Sequence, residues 1–505
     1  MPGCSRGFNS LMQHRLQRLI GVLVVWNCLA LAFAVDVDKL VPVRWPGGPL
    51  EVARRAAKKA DPAILKDWYQ PASLDLLHDT PINCLLVTWS AGGDPALVRE
   101  QQQIAGAYAK EAHQRGFTVL GLVYAGADAA QAVEAAAKAH LDGLALEPDF
   151  ADFARLSQAG ENQAGFLLIP LQAAAGAPGI RVLSDSGATV ATPTSEPWMD
   201  SNLWLVRSLR AKGQTPVWLG FALENPSADN YARAIADSAA AGGRWVVAPD
   251  DGLLGGLSQR QPDALATWRR ICEASGFFEQ HAGWRPFVPA GPLGIARDPS
   301  TRYPDVADEN LNLIARRRIP YRMIDRAALN ASALEGVKAL LVTEISNPAE
   351  GERSMWRRFA EGGGLLVTGP GWGVAVPKDK DYIEQELGKG QLIVYREETP
   401  DPEALSKNLL HLLGKGNLGL RLFNAPTVLP YLSASEDGKQ LLVQMINYAS
   451  GPSEAITVRV SGSYRTARLY GLYGAATDLP VEKSEQGIEL AIGQIHTYAA
   501  LLLER

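Results

Sequence analysis

Between residues 40 and 283, short apolar runs alternate with Ala- and charge-rich helical runs, and this alternation restricts the fold more than any other feature of the chain. Strands are expected at Val41–Trp45, Ile82–Trp89, Thr118–Tyr124, Leu141–Glu147, Gly165–Leu171, Ile180–Asp185, Pro216–Glu224 and Arg244–Asp250. Helices are expected between them, among them Asp94–Gln114, Ala127–His140, Asp200–Ala211 and Ala228–Ala241. Strict strand–helix alternation favours a parallel α/β sheet, because each parallel crossover needs a helix. Eight such strands within about 240 residues match a closed (β/α)8 barrel of the TIM type.

The rest of the chain divides in two. A length of 505 residues exceeds what one core sustains. From Gly283, runs at Pro292–Arg297, Pro320–Ile324, Ala339–Glu344, Gly364–Thr368 and Gln391–Tyr395 alternate with helices such as Asp305–Arg317, Pro348–Glu361 and Pro402–Leu413. That pattern predicts a small doubly wound α/β domain over 284–415, after a barrel over 36–283. Over 416–505 the alternating runs Leu441–Asn447, Glu454–Val460, Thr466–Tyr470, Gly487–Ile492 and Thr497–Leu503 lack intervening helices, which predicts an antiparallel β-sandwich.

Residues 1–34 read as a secretory signal peptide. Arg6, Arg15 and Arg18 precede the apolar run 19–34, which closes on the small-x-small site Ala32-Phe-Ala34. The expected location is therefore secreted or periplasmic, after cleavage near Ala34. The competing reading is an uncleaved anchor, for which the run is short. Removing three arginines takes the net charge from -5 to -8, and with no basic block the mature chain is a poor nucleic-acid binder. Cys4 and Cys28 leave with the signal, so Cys84 and Cys272 remain, either as buried thiols or as a disulfide that export permits.

Several chemistries lack their residues. The seven histidines are scattered, with no His-Glu-x-x-His and no cysteine pair, so no metal site is expected. There is no phosphate-cradling Gly-x-x-x-x-Gly-Lys-Ser/Thr and no Gly-x-Ser-x-Gly elbow. No cofactor is expected.

Carboxylates at strand ends recur instead. Glu147 and Glu224 each share a strand face with small residues, Gly143 and Ala145 in one case and Gly220 and Ala222 in the other. Alternate positions carry large apolar side chains, so a period of two places both glutamates on the barrel's interior face. Two inward carboxylates at one mouth are what glycoside hydrolysis requires. Glu147 and Glu224 are thus the candidate catalytic residues. Asp149, Glu196, Asn202 and Asp250, with the flat rings of Trp45, Trp89 and Trp198, are candidates for binding a sugar. The competing reading makes the aspartates helix caps and the tryptophans barrel-end packing.

The order of barrel, doubly wound domain and sandwich resembles the glycoside hydrolase family 42 β-galactosidases. Ala333–Val342 and Trp356–Val367 are similar to the glutamine-amidotransferase-like domain of that family, and Val443–Tyr448 and Ile495–Glu504 to its C-terminal β domain. The resemblance implies a retaining hydrolase acting on oligo- or polysaccharides, with Glu147 as acid/base and Glu224 as nucleophile. It also implies oligomer contacts through the middle domain, which has no nucleophilic cysteine because none follows Cys272. Leu146 stands where the superfamily places Asn before its acid/base. That departure leaves open Asp149 or Glu196 as the acid, or a barrel that binds glycans without cleaving them.

Overall fold

The computed structural model describes residues 35–57, 63–66, 68–150, 165–180, 183–185, 188–190 and 198–505. The expected signal peptide and Glu196 lie outside these residues. Among the described residues no helix is long and apolar enough to cross a membrane.

The first unit alternates β1 (Pro42–Trp45), α1 (Gly48–Ala57), β2 (Cys84–Ser90), α2 (Pro95–Gln114), β3 (Thr118–Val123), α3 (Ala129–Lys138), β4 (Gly143–Leu146) and β5 (Leu167–Gln172). It continues through α4 (Leu203–Ala211), β6 (Trp218–Leu219), α5 (Ala228–Ala239), β7 (Arg244–Trp245), α6 (Asp251–Ser258) and α7 (Pro262–Gln280). These seven strands form one sheet in chain order, all its ladders parallel. A parallel bridge between Val43 and Val247 brings its two edges together into a barrel.

Cap residues set several helix starts. Asp94 accepts from the Ala96 amide ahead of α2, with Pro95 at the first helical position, and Asp128 accepts from Gln131 ahead of α3.

The strand expected at 180–185 is not part of the barrel. Gly179–Ile180 pairs antiparallel with Met199–Asp200, and Leu183–Asp185 forms a hairpin with Ala188–Val190. This stretch is an excursion between β5 and α4. Its described strands pair with one another, not with the barrel sheet, so their backbone groups find partners locally.

Strand alternation separates two cores. Leu86, Leu120, Leu122, Ala145, Ile169, Leu171, Trp218 and Val246 fill the barrel. Val43, Trp45, Val87, Trp89, Val123, Leu144, Leu219 and Trp245 face the helices. The faces assigned to Ala145 and Leu144 follow the expected period of two.

A six-stranded doubly wound sheet follows, built from β8 (Leu293–Arg297), β9 (Tyr321–Asp325), β10 (Ala339–Leu341), β11 (Leu365–Thr368), β12 (Tyr382–Leu387) and β13 (Gly390–Tyr395). Its order is β9-β8-β10-β11-β13-β12, parallel except for the β12–β13 edge pair. Helices α8 (Pro304–Arg316), α9 (Glu350–Glu361) and α10 (Pro402–Leu413) accompany it. The C-terminal unit stacks a six-stranded and a four-stranded antiparallel sheet over a core that includes Val443, Met445, Val458, Leu490 and Leu501. The six-stranded sheet also takes in Val288–Pro289, which pairs with Ser433 and Ala434. The fold class is therefore a TIM-type barrel, a doubly wound sheet and a β-sandwich.

Candidate active site at the barrel mouth

The parallel strands all end at one mouth, where an α/β barrel keeps its variable chemistry. A cavity of about 360 Å³ opens there, lined by Arg44, Glu51, Thr88, Tyr124, Asp250 and Asp251, among others. A larger groove of about 890 Å³ runs along α7 beside residues 75–81, which lead into β2 and so belong to the opposite end of the barrel.

Arg44 sits on the interior face of β1, out of register with outward-facing Val43 and Trp45. Its guanidinium forks onto Glu147, Nη1 to Oε1 at 2.6 Å and Nη2 donating to Oε2 at 3.1 Å. Such a bidentate pair fixes both side chains. Glu147 therefore leaves β4 on the interior face, as its parity requires, and reaches the cavity through Arg44.

Helix α1 supplies a second cluster. Glu51 is buried, and its Oε2 accepts from Thr88 Oγ1 at 3.0 Å and from the Tyr124 hydroxyl at 3.2 Å. Its Oε1 accepts from Arg55 Nε at 2.8 Å, and Arg55 also pairs with Asp251. Arg54 lies 3.3 Å over the Tyr124 ring centroid. Burial, with Glu51 beside it, pushes the Tyr124 phenol well above its ordinary pKa, so it stays a hydrogen-bond donor.

Other expected site residues fall elsewhere. The β6 ladder covers only Trp218 and Leu219, so Glu224 stands in the following loop. It is exposed and has no hydrogen bond or ion pair among the described residues. Asp149 is exposed on the turn after β4.

Trp45 and Trp89 are corrections: both are fully buried against helices rather than open to a sugar. The Trp45 indole donates to Tyr108 Oη at 2.7 Å and packs against Trp68 and Trp268, while Trp89 donates to the Ala132 carbonyl at 3.0 Å. Each ring has spent its polar edge inside the protein. Asn202 is likewise buried, accepting from the Ala175 amide and donating to the Gly176 carbonyl, so it pins a loop instead of meeting solvent.

Trp198 donates to Asp200 Oδ1 at 3.1 Å and lies under Arg316 of α8 at 3.6 Å, a contact between barrel and middle sheet. Asp250 lines the cavity but also caps α6, accepting from Gly252 and Leu253 amides, and takes the Tyr231 hydroxyl on its other oxygen.

Arg44 was not among the expected site residues, which took its neighbour Trp45 instead; the alternation along β1, with Val43 and Trp45 facing the helices, is the signal that points to it. Glu51, Thr88, Tyr124 and Arg55 carried no such signal, because their convergence depends on α1 lying across the mouth. Cys84 and Cys272 are free and buried, and burial pushes the Cys272 thiol up to about 12. Among the described residues no group of three or more His, Cys, Asp or Glu could hold a metal.

No family model matches the sequence, and no curated protein matches it. Solved structures do resemble it. An α-L-fucosidase isoenzyme 2 from Paenibacillus thiaminolyticus covers 87% of this chain and 96% of its own at 12% identity, with TM-score 0.55. An exo-β-1,4-mannosidase from Opitutaceae bacterium strain TAV5 covers 75% and 99% at 12% identity, with TM-score 0.45. A β-galactosidase from Bacillus circulans sp. alkalophilus covers 93% and 86% at 10% identity, with TM-score 0.38. At such identities the likeness concerns the fold, and the fucosidase alone among these three exceeds a TM-score of 0.5. The chain has a glycoside-hydrolase-like fold.

Proposed function

We propose that the protein is an exported glycoside hydrolase that works by retention at the barrel mouth. The observation that carries this reading is Glu147 on the interior face at the end of β4, held by Arg44 beside a mouth cavity, in a glycoside-hydrolase-like fold. Glu224, which follows β6 at the same end and has no partner among the described residues, is the nucleophile. Its carboxylate attacks the anomeric carbon while Glu147 protonates the departing glycosidic oxygen. Glu147 then takes a proton from the water that hydrolyses the glycosyl–enzyme ester. Asp149 stands close to Glu147 in sequence as an alternative acid. Export removes residues 1–34, and the middle unit supplies contacts between copies.

A second reading is favoured by the mouth itself. Glu51, Glu147 and Asp251 are all engaged by arginines, and Asp250 by a helix cap, as in a barrel that binds glycans without cleaving them. Fold alone does not choose between the two.

A chromogenic glycoside screen decides. Glu147→Gln should lower kcat at least about 100-fold, the scale of a lost catalytic acid or base, and Glu224→Gln, which removes the nucleophile, should lower it at least as far. Azide should rescue hydrolysis in a Glu224→Gly variant. Sugar binding without turnover in the wild type would support the silent barrel.

A further inference from the structure

We propose that the barrel mouth takes a sugar bearing an anionic substituent, a carboxylate or a sulfate, which Arg44 binds in exchange for Glu147 and Arg54 binds directly. The inference rests on the mouth being the glycan site, as argued above, and adds the class of glycan.

The argument is a balance of donors and acceptors. Each carboxylate that lines the cavity has at least one oxygen engaged, whereas Glu224, the nucleophile in the loop after β6, is open. Glu51 serves Arg55, Thr88 and Tyr124; Asp250 serves two amides and Tyr231; Asp251 serves Arg55; Glu147 serves Arg44. With Glu224 set aside as the group that attacks the sugar, the capacity left over for holding a ligand is on the donor side. Arg44 Nε is buried with no acceptor. Arg54, half-buried over Tyr124, has no hydrogen bond or ion pair to an acceptor among the described residues.

A ligand completing this mouth must therefore bring acceptors, and an ionised group offers stronger ones than a hydroxyl. The Arg44–Glu147 fork shows the geometry such a group would meet, with Glu147 as its internal stand-in. Exchange frees Glu147 only when an anionic substrate is present. A neutral sugar gives Arg44 no equivalent acceptor, so it leaves Glu147 clamped. The cavity, about 360 Å³, lies near the lower end of small-molecule sites, so a single terminal residue fits better than a chain.

Calorimetry on the full protein tests this with methyl glucuronoside, methyl galacturonoside and methyl galactoside 6-sulfate against methyl glucoside and methyl galactoside. At least one anionic probe should bind tenfold or more tightly than its neutral counterpart, with affinity falling as salt rises, and the two acid types distinguish carboxylate from sulfate. Arg54→Met, which keeps the stem that lies over the cavity-lining Tyr124, should abolish the preference while leaving the melting temperature within a few degrees. Arg44→Met should also abolish the preference, at a lower melting temperature because it leaves Glu147 unpaired. Equal affinity for neutral and anionic probes, binding of none, or a preference that survives Arg54→Met overturns the proposal. Turnover of neutral glycosides as fast as uronides, lost in Glu224→Gln, would overturn it while leaving the hydrolase reading intact.

Discussion

Arg44 crosses from β1 to the end of β4, and the wall opposite has to leave room for it. At Gly220, just beyond β6, an added Cβ would stand 3.1 Å from Arg44 Nη2 and 3.0 Å from Leu171 Cβ. Leu171 Cβ is tied to its backbone and cannot yield cheaply. Gly220→Ala should therefore destabilise the barrel by about 1–3 kcal/mol, the usual cost of overpacking. Urea unfolding should show this as a lowered midpoint at unchanged slope. Trp45 tests the correction to its role. Trp45→Ala removes a buried ring and takes one of two partners from the Tyr108 hydroxyl, which keeps Ser73, so it should cost about 3–5 kcal/mol. Sugar affinity per folded molecule should not change. A selective loss of binding would return Trp45 to the site.

At the scale of elements, α1 equips the mouth because Glu51, Arg54 and Arg55 fall at helical spacings of three and four and so share one face. In the middle sheet, Glu344 follows β10 beside the point where the strand order turns back from β8 to β9. Burial, which Arg297 at 3.3 Å only partly offsets, pushes its carboxyl up to about 7. The folded state then holds a proton that the unfolded chain releases from pH 4.5 upward. Stability contributed by this group is present below that pH and lost as pH rises towards about 7. The loss is on the order of 3 kcal/mol, at about 1.4 kcal/mol per unit. Glu344→Gln should flatten the fall in stability between about pH 5 and 7. An unaltered slope in that variant would remove Glu344 as its cause.

The units of the whole molecule are joined by buried polar contacts. Asp237 of α5 is fully buried and accepts from Ser201 Oγ at 2.8 Å, the Asn202 amide at 2.8 Å and the Tyr448 hydroxyl of the sandwich at 2.5 Å. Gln444 donates to the Ala240 carbonyl, Arg233 to the Asn447 carbonyl, and Arg207 to the Tyr321 carbonyl of the middle sheet. Desolvation pushes Asp237 up and Tyr448 well up, so the short contact between them replaces water that neither can reach. Tyr448→Phe leaves a buried carboxylate one donor short and should cost about 1–3 kcal/mol. Barrel and sandwich transitions, followed by separate probes, should both shift down. A shift confined to the sandwich would show that this contact does not couple them.

The sequence by itself determined what short-range periodicity can determine. Strand–helix alternation identified a parallel barrel, loss of helices after residue 416 identified the sandwich, and the period of two placed Glu147 inside. Local pattern could not tell that Ile180–Asp185 has no barrel neighbour, since a strand is defined by the ladder it joins. Nor could it tell which strand-end residues remain free. Arg44 and Glu147 are 103 residues apart in the chain, and Thr88 and Glu51 are 37 apart. Trp89 and Ala132, 43 apart, meet only after a helix has packed on the sheet. Closure of the barrel puts Arg44 and Glu147, on distant strands, within hydrogen-bonding reach, and helix packing brings Glu51 and Ala132 to their strands; both are properties of the tertiary structure alone.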